Sequence, residues 1–238
     1  MNTEKNIVLL LMAGKGTRCD KNLPKQFFIV NGKPVFMYIV DVLNSMDSID
    51  DIIIITNPDY LDYTKECCDT KIYRKVYSII TGGNGRSNDI AKGILEAKEI
   101  ANDNDVIMMY DATHPLVDER GIDDVISAIK EYGAATLAEY QYDTLYSIDP
   151  ETQQVVEVVP REKIIAGASP EGFLYKTAYD IFTQSSSEVL NTMTSAGALA
   201  KAFKLKMKAV PMQEAMNLKI TYKLDMEIFK KIAKSYYE

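Results

Sequence analysis

Two glycines and a spaced pair of cations form the constellation in this chain that carries the most chemistry. They stand in Leu11-Met12-Ala13-Gly14-Lys15-Gly16-Thr17-Arg18 and, seven residues past Arg18, at Lys25 of Leu23-Pro24-Lys25-Gln26-Phe27. Glycine lets successive backbone N–H groups approach an anion closely, and Arg18 and Lys25 add fixed positive charge to the same loop. That combination suits a triphosphate. Two better-known phosphate loops are excluded by letter: a dinucleotide fingerprint needs a third glycine where Cys19 stands, and a Walker A loop needs Gly-Lys-Ser/Thr after a four-residue gap. An isolated Gly-x-Gly also serves simply to turn a chain after a strand, so the rest of the sequence has to decide.

Two further segments offer chemistry of the same kind. Gly82-Gly83-Asn84-Gly85-Arg86-Ser87-Asn88-Asp89 lies between a strand-like run and an amphipathic helix, where it is either a flexible turn with a cap or the wall of a binding site. Asp111-Ala112-Thr113-His114-Pro115 follows the apolar run Val106-Ile107-Met108-Met109-Tyr110, which sets a carboxylate at the tip of a buried strand. Asp111 there either caps the next turn or holds Mg²⁺, a hard cation that takes carboxylate and phosphate oxygens.

The elements that would position these loops alternate. β-Branched apolar runs at 7–12, 52–56, 76–80 and 106–110 are separated by helical patterns at 34–46, 60–68, 86–100 and 121–132. Strands alternating with helices predict a doubly wound α/β domain, Rossmann-like, with a mainly parallel sheet covered on both faces. In such sheets ligands bind beyond the carboxyl ends of the strands, which is where the Gly14 loop, the Gly82-Gly83 turn and Asp111 would all project. From Ala135 the pattern changes. Residues 136–140 and 153–159 read as strands flanking a polar turn at 149–152, an inserted β-hairpin arm of about 137–160 with little core of its own, expected to pack on a second copy. A last helix, 223–237, carries Leu224, Ile228, Phe229 and Ile232 at helical spacing and is expected to close the core.

The whole chain sets limits on what these parts can be. Its 238 residues, 47% hydrophobic, are enough for one sizeable core, and the absence of repeats or linkers predicts one domain over 1–238. No apolar run approaches the roughly 20 residues needed to cross a bilayer, and the start of the chain leads into a strand rather than a signal-peptide core, so a cytoplasmic protein with no membrane partner is expected. Three cysteines and one histidine support neither a disulfide framework nor a zinc site. A net charge of −7 without a local basic patch argues against nucleic acid as partner.

Taken in order, these segments resemble the cytidylyltransferases that make CDP-methylerythritol or CDP-ribitol. Ala13-Gly14-Lys15-Gly16-Thr17-Arg18 with Pro24-Lys25-Gln26 is similar to their signature loop, and Asp111 to Pro115 resembles their Asp-Ala-x-Arg-Pro. Asp143-Thr144, Pro160-Arg161, Ala168-Ser169-Pro170-Glu171-Gly172-Phe173 (their Gln-Thr-Pro-Gln-x-Phe) and Asn217-Leu218-Lys219-Ile220-Thr221 continue the likeness to the C-terminal region. The resemblance implies transfer of CMP from CTP to a polyol phosphate with release of pyrophosphate. It implies that Leu11, Met12, Ala13, Gly14, Gly16, Gly82, Gly83, Asn84, Arg86, Asn88, Asp89, Asp111 and Ala112 bind the nucleotide, with Mg²⁺ on Asp111. Arg18 and Lys25 would stabilise the transition state and the departing pyrophosphate, Arg161 and Lys219 would hold the attacking phosphate, and His114 and Thr144 would contact the acceptor. The arm implies a homodimer.

The departures from that pattern are equally plain. His114 stands where the family has arginine, Asp89 where many members have serine, and both glutamines of Gln-Thr-Pro-Gln are replaced. The segment Met193-Thr194-Ser195 lacks the family's acid, and Met216 precedes Asn217 where methylerythritol enzymes often have aspartate. These lean toward ribitol 5-phosphate, whose product would feed a wall or capsule polymer, over methylerythritol 4-phosphate, an isoprenoid precursor. A histidine titrating near 6.5 would also make acceptor binding weaken as pH rises. Two other readings stay open: a nucleotide-binding module without turnover, and a nucleotidyltransferase for sugar phosphates, which shares the first loop but predicts neither the arm nor the Asn-Leu-Lys-Ile-Thr segment.

Overall fold

The computed structural model describes residues 4–16, 19, 23–192, 195–212 and 217–237. In chain order the first elements are β1 (Asn6–Met12), the short strands β2 (Ile29–Val30) and β3 (Lys33–Pro34), α1 (Val35–Ser45), β4 (Asp51–Thr56), α2 (Leu61–Cys67), β5 (Val76–Thr81), α3 (Arg86–Glu96) and β6 (Val106–Asp111). They are followed by α4 (Glu119–Tyr132), β7 (Ala134–Tyr140), β8 (Leu145–Ile148), β9 (Val155–Val159) and β10 (Ile165–Leu174). The chain closes with α5 (Tyr175–Gln184), α6 (Ser187–Thr192), α7 (Ala196–Ala202), β11 (Lys208–Pro211) and α8 (Lys223–Tyr237).

Seven strands form one sheet in the order β11-β7-β10-β6-β1-β4-β5. All its pairs are parallel except those of β10, which runs antiparallel between β6 and β7. The mainly parallel α/β architecture expected from the sequence is therefore the one found. The central strands β1, β4 and β6 carry unbroken apolar runs because both their faces are covered. Val8, Leu10, Ile52, Ile54, Met108 and Tyr110 enter a core shared with α1 and α4, while Ile7, Leu9, Ile53, Ile55, Ile107 and Met109 enter a second core shared with α3, α5 and α7. The chain moves outward from β1 through β4 to β5 and then returns to the other side of β1 as β6. That reversal opens a crevice at the carboxyl ends of β1 and β6, the place where such sheets bind ligands.

Helix α4 begins at Glu119, before the expected start at Gly121, because the Asp118 carboxylate accepts from the Gly121 N–H at 2.9 Å and caps the first turn. Strand β10 fits between two neighbours only because residue 172 is glycine: a Cβ there would lie 2.5 Å from the Ile107 carbonyl oxygen. Two expectations are corrected. Residues 136–140 are not part of the arm but belong to β7 of the main sheet, paired with β10 and, as far as Ala138, with β11 as well; the hairpin is β8 with β9. In α8 the buried face is Met226, Phe229 and Ala233 with Ile232 packed beside it, so Phe229 and Ile232 close the core as expected, whereas Leu224 is 70% exposed and Ile228 37%. Among the described residues no helix is long and apolar enough to cross a membrane.

Candidate active site

The loops that leave β1, β5 and β6 meet β10 at one edge of the sheet. Between them lies a cleft of about 440 Å³ lined by Leu11, Met12, Ala13, Gly14, Lys15, Gly16, Lys25, Gln26, Gly83, Gly85, Arg86, Asp89, Asp111 and Thr113. A second cavity of about 170 Å³ shares Arg86 and Asp111 as its wall and adds His114, Gly167, Ala168, Ser169, Glu171, Ser195 and Lys219. Two adjoining compartments separated by one ion pair suit a reaction between two bound reactants.

The first compartment is built on backbone. Carbonyl oxygens would repel a phosphate, and Gln26 engages two of them, its Nε2 donating to Met12 O at 2.6 Å and Gly14 O at 2.8 Å. Gly16 has φ +61°, and a Cβ there would come within 3.2 Å of Lys25. Lys25, only 8% exposed, donates from Nζ to the Ile220 carbonyl and so ties the glycine loop to the C-terminal segment. On the opposite wall the Asp89 carboxylate accepts from the Gly83 N–H at 2.8 Å, and a Cβ at Gly82 would sit 2.6 Å from it. Burial pushes the Asp89 carboxyl upward, partly offset by the N–H groups of Gly83 and Asn84. Asp89 thus holds the turn in shape.

Charge is concentrated where the compartments meet. Arg86 Nε lies 3.1 Å from Asp111 Oδ1 and its Nη2 lies 2.8 Å from Glu171 Oε1, while Lys219 Nζ approaches Asp111 Oδ2 at 3.6 Å. Arg86 Nη1 is buried without a hydrogen-bond partner among the described residues. Burial pushes the Asp111 carboxyl up, but Arg86 and Lys219 together outweigh it and hold the group below the usual carboxylate range. Deeper in the second cavity, His114 Nδ1 lies 3.1 Å from Ser169 Oγ, which also accepts from the Asp111 N–H at 3.2 Å. The imidazole is 6% exposed, and burial lowers its pKa to about 4. In the free protein the ring is therefore neutral throughout the neutral range, and the charge switch near 6.5 expected from the sequence is corrected.

Of the residues predicted for the nucleotide, Leu11, Met12, Ala13, Gly14, Gly16, Gly83, Arg86, Asp89 and Asp111 line the first compartment. Gly82 and Ala112 are buried behind it, Asn84 is exposed beyond it, and Asn88 spans the turn by donating to Asn84 O at 2.9 Å. Lys25 lines the first compartment and Lys219 and His114 the second. Thr144 and Arg161 are not brought there within one chain: both are exposed next to the hairpin, and Arg161 Nη1 donates to Tyr142 O at 2.6 Å. Arg18 lies outside the described residues, as do Met193, Thr194 and Met216. Sequence reasoning did not assign Gln26, Ser169, Glu171 or Ser195, although each belongs to a segment it had singled out.

With this geometry in place, comparison with known proteins is decisive. The profile of the IspD family, 2-C-methyl-D-erythritol 4-phosphate cytidylyltransferase, matches residues 6–235. The chain belongs to this family. A protein of Streptococcus agalactiae serotype Ia named ribitol-5-phosphate cytidylyltransferase is 27% identical over 228 residues, 94% of each chain. A 2-C-methyl-D-erythritol 4-phosphate cytidylyltransferase of Thermotoga neapolitana is 30% identical over 233 residues, 97% of this chain and 98% of that one. Among solved structures, a 4-diphosphocytidyl-2C-methyl-D-erythritol synthase aligns with TM-score 0.78 at 18% identity, covering 97% of this chain and 99% of that one. The Francisella tularensis family member aligns with TM-score 0.76 at 20% identity over 98% and 100%. This cytidylyltransferase therefore has the family fold along its length.

Proposed function

We propose that this cytidylyltransferase transfers CMP from CTP to ribitol 5-phosphate, releasing pyrophosphate and CDP-ribitol. Relatives with either acceptor in their names align at comparable identity, so the acceptor has to be argued from the second compartment. One observation carries the reading: among the described residues that compartment is lined by Ser169, Ser195, His114, Glu171 and Lys219, with Ala168 as the one apolar side chain. Hydroxyl, imidazole and carboxylate groups pair with the hydroxyls of a linear polyol; a methyl branch would leave polar groups without partners, at a cost of about 1–3 kcal/mol each.

In this reading a phosphate oxygen of the acceptor attacks the α-phosphorus of CTP while the bond to the pyrophosphate oxygen breaks. The acceptor phosphate is already largely dianionic near neutral pH, so no general base is needed. Approach of two anions is the barrier, and positioned cations lower it. Lys25 faces the nucleotide phosphates, Lys219 faces the acceptor phosphate, and Arg86 stands between them with its orientation fixed by Asp111 and Glu171. Among the described residues no group of three or more metal-ligating side chains occurs. The single carboxylate of Asp111, with Oδ2 held only loosely by Lys219, fits Mg²⁺, a cation commonly bound by one or two carboxylates together with substrate phosphates. Such an ion would offset triphosphate charge.

The hairpin supports a homodimer. Tyr146, Ile148, Val155, Val156 and Val158 are 49–68% exposed, and adjacent valines of one strand point to opposite faces, so both faces of the arm need cover. A second copy would provide it and would bring Thr144 and Arg161 to a neighbouring cleft. Replacing β8 and β9 by a short linker is expected to give a monomer with a raised acceptor KM; a full-length protein that is monomeric by light scattering at high concentration would overturn the arrangement. The same reading places the enzyme in the cytoplasm, where CTP is made.

The function is tested with pure protein, Mg²⁺, CTP and a panel of polyol phosphates, following pyrophosphate. Ribitol 5-phosphate is expected to give the highest kcat/KM. Preference for methylerythritol 4-phosphate overturns the acceptor, and absence of release with every acceptor leaves a binding module.

A further inference from the structure

The acceptor compartment holds a hydrogen-bond relay whose direction the surrounding groups dictate. Ser169 is 8% exposed, and its Oγ accepts from the Asp111 backbone N–H at 3.2 Å. The same Oγ lies 3.1 Å from His114 Nδ1. If Nδ1 carried the ring proton, Oγ would accept from two N–H groups and its own hydroxyl proton would need a third partner. No other acceptor for it is found among the described residues. If Nδ1 is bare, the hydroxyl donates to it and every group is satisfied. The second arrangement leaves the proton on Nε2. That nitrogen has no hydrogen-bond partner among the described residues, and His114 lines the cavity of about 170 Å³.

We infer that Ser169 fixes His114 as the Nε2–H tautomer, so that the ring presents one neutral, aimed donor to a hydroxyl oxygen of the acceptor. Ser169 is a positioning residue, acting through the ring, and His114 is the residue that reads the substrate. The inference rests on the acceptor reading above, and it deepens that reading by assigning the hydroxyl recognition. Charge argues for a hydroxyl over the phosphate as the target: Lys219 and Arg86 already supply cations at the wall of the cavity, and a neutral N–H adds little there. Relative to the Arg and Gln of the resembled motifs, His114 and Glu171 make the compartment less positive, with one donor and one carboxylate acceptor in the same cavity. That pair matches a hydroxyl, which both accepts and donates.

His114 is the single histidine of the chain, so ¹⁵N-histidine labelling yields one pair of ring nitrogens. Near neutral pH the wild type is expected to show Nε2 protonated and Nδ1 bare, and ribitol 5-phosphate is expected to move the Nε2 signal. Ser169→Ala should draw both signals toward the average of a free imidazole, and Ser169→Thr should preserve them. In kinetics, Ser169→Ala should raise the acceptor KM about three- to tenfold with the CTP KM unchanged, the scale of one neutral hydrogen bond. His114→Gln, which retains a donor, should lose less than His114→Ala. A wild-type ring that is charged or protonated at Nδ1, a spectrum unmoved by Ser169→Ala, or an Nε2 signal unmoved by an acceptor that turns over would each overturn the inference. Failure of ribitol 5-phosphate to release pyrophosphate is read in the separate assay and overturns the acceptor reading instead.

Discussion

Asp111→Asn is expected to lower kcat for CMP transfer by about 10³-fold while leaving the CTP KM unchanged or lower. Asp111 faces both Arg86 at 3.1 Å and Lys219 at 3.6 Å, at the wall between the two compartments. Asparagine keeps the shape and one acceptor oxygen but removes the charge. A unit charge about 4 Å from its partner at an effective dielectric near 20 is worth roughly 4 kcal/mol, close to a factor of 10³. The two cations remain, so the attraction felt by a bound triphosphate does not fall; what is lost is the fixed orientation of Arg86 and, in the proposed reading, the anchor for Mg²⁺. Folding is expected to survive, because Glu171 still engages Arg86 at 2.8 Å. Pyrophosphate release measured against CTP at several Mg²⁺ concentrations checks this, with the half-saturating Mg²⁺ concentration rising in the variant. An unchanged kcat would remove Asp111 from the reaction, and a fall in kcat with unchanged Mg²⁺ dependence would reduce its part to orienting the cations.

The residues that make this junction were only partly visible in the sequence. The loops after β1 and β6 could be read because each follows a strand buried on both faces, Ile7 to Leu10 and Val106 to Tyr110, whose unbroken apolar run has no other economical explanation, whereas the turn after the partly exposed edge strand β5 was legible from its own glycines. Glu171 could not be placed by that route. Its strand, β10, contains Gly167, Pro170 and Gly172, a composition that reads as a loop, and its partner Arg86 is 85 positions away. Only the insertion of β10 between β6 and β7, permitted by Gly172, brings the two together. Residues 136–140 show the same limit from the other side: their alternation fits a hairpin or a central strand equally, and the neighbours β10 and β11 decide. In α8 the spacing placed Phe229 and Ile232 correctly against the core but not Leu224 and Ile228, because the contact runs through Met226, Phe229 and Ala233, where a small residue allows close approach. Spacing marks a face well when bulk and burial coincide, and here they do so at only part of the helix.

Lys25→Ala is expected to lower kcat by about 10²–10³, the scale seen when one preorganised donor to developing charge is removed. Lys25 qualifies as preorganised on three counts. It sits on a single turn of 3₁₀ helix after Pro24, it is 8% exposed, and its stem packs where Gly16 has no side chain. An ammonium group with so little water around it needs no reorganisation when charge grows on the α-phosphate and the leaving pyrophosphate, so its interaction is stronger in the transition state than in the ground state. The substitution has a second consequence. Lys25 Nζ donates to the Ile220 carbonyl, and the Ile220 N–H donates to Thr113 O at 2.8 Å, so one side chain joins the nucleotide loop, the loop after β6 and the segment that carries Lys219. Losing that tether should also raise the acceptor KM several-fold, although Lys25 lines only the first compartment. Steady-state kinetics with each substrate varied in turn, alongside thermal unfolding to exclude a folding defect, separate the two effects. A change confined to the CTP KM would reassign Lys25 to ground-state binding. A fall in kcat with the acceptor KM unmoved would show that Lys219 keeps its place without the tether, and that the two compartments are linked through Asp111 and Arg86 alone.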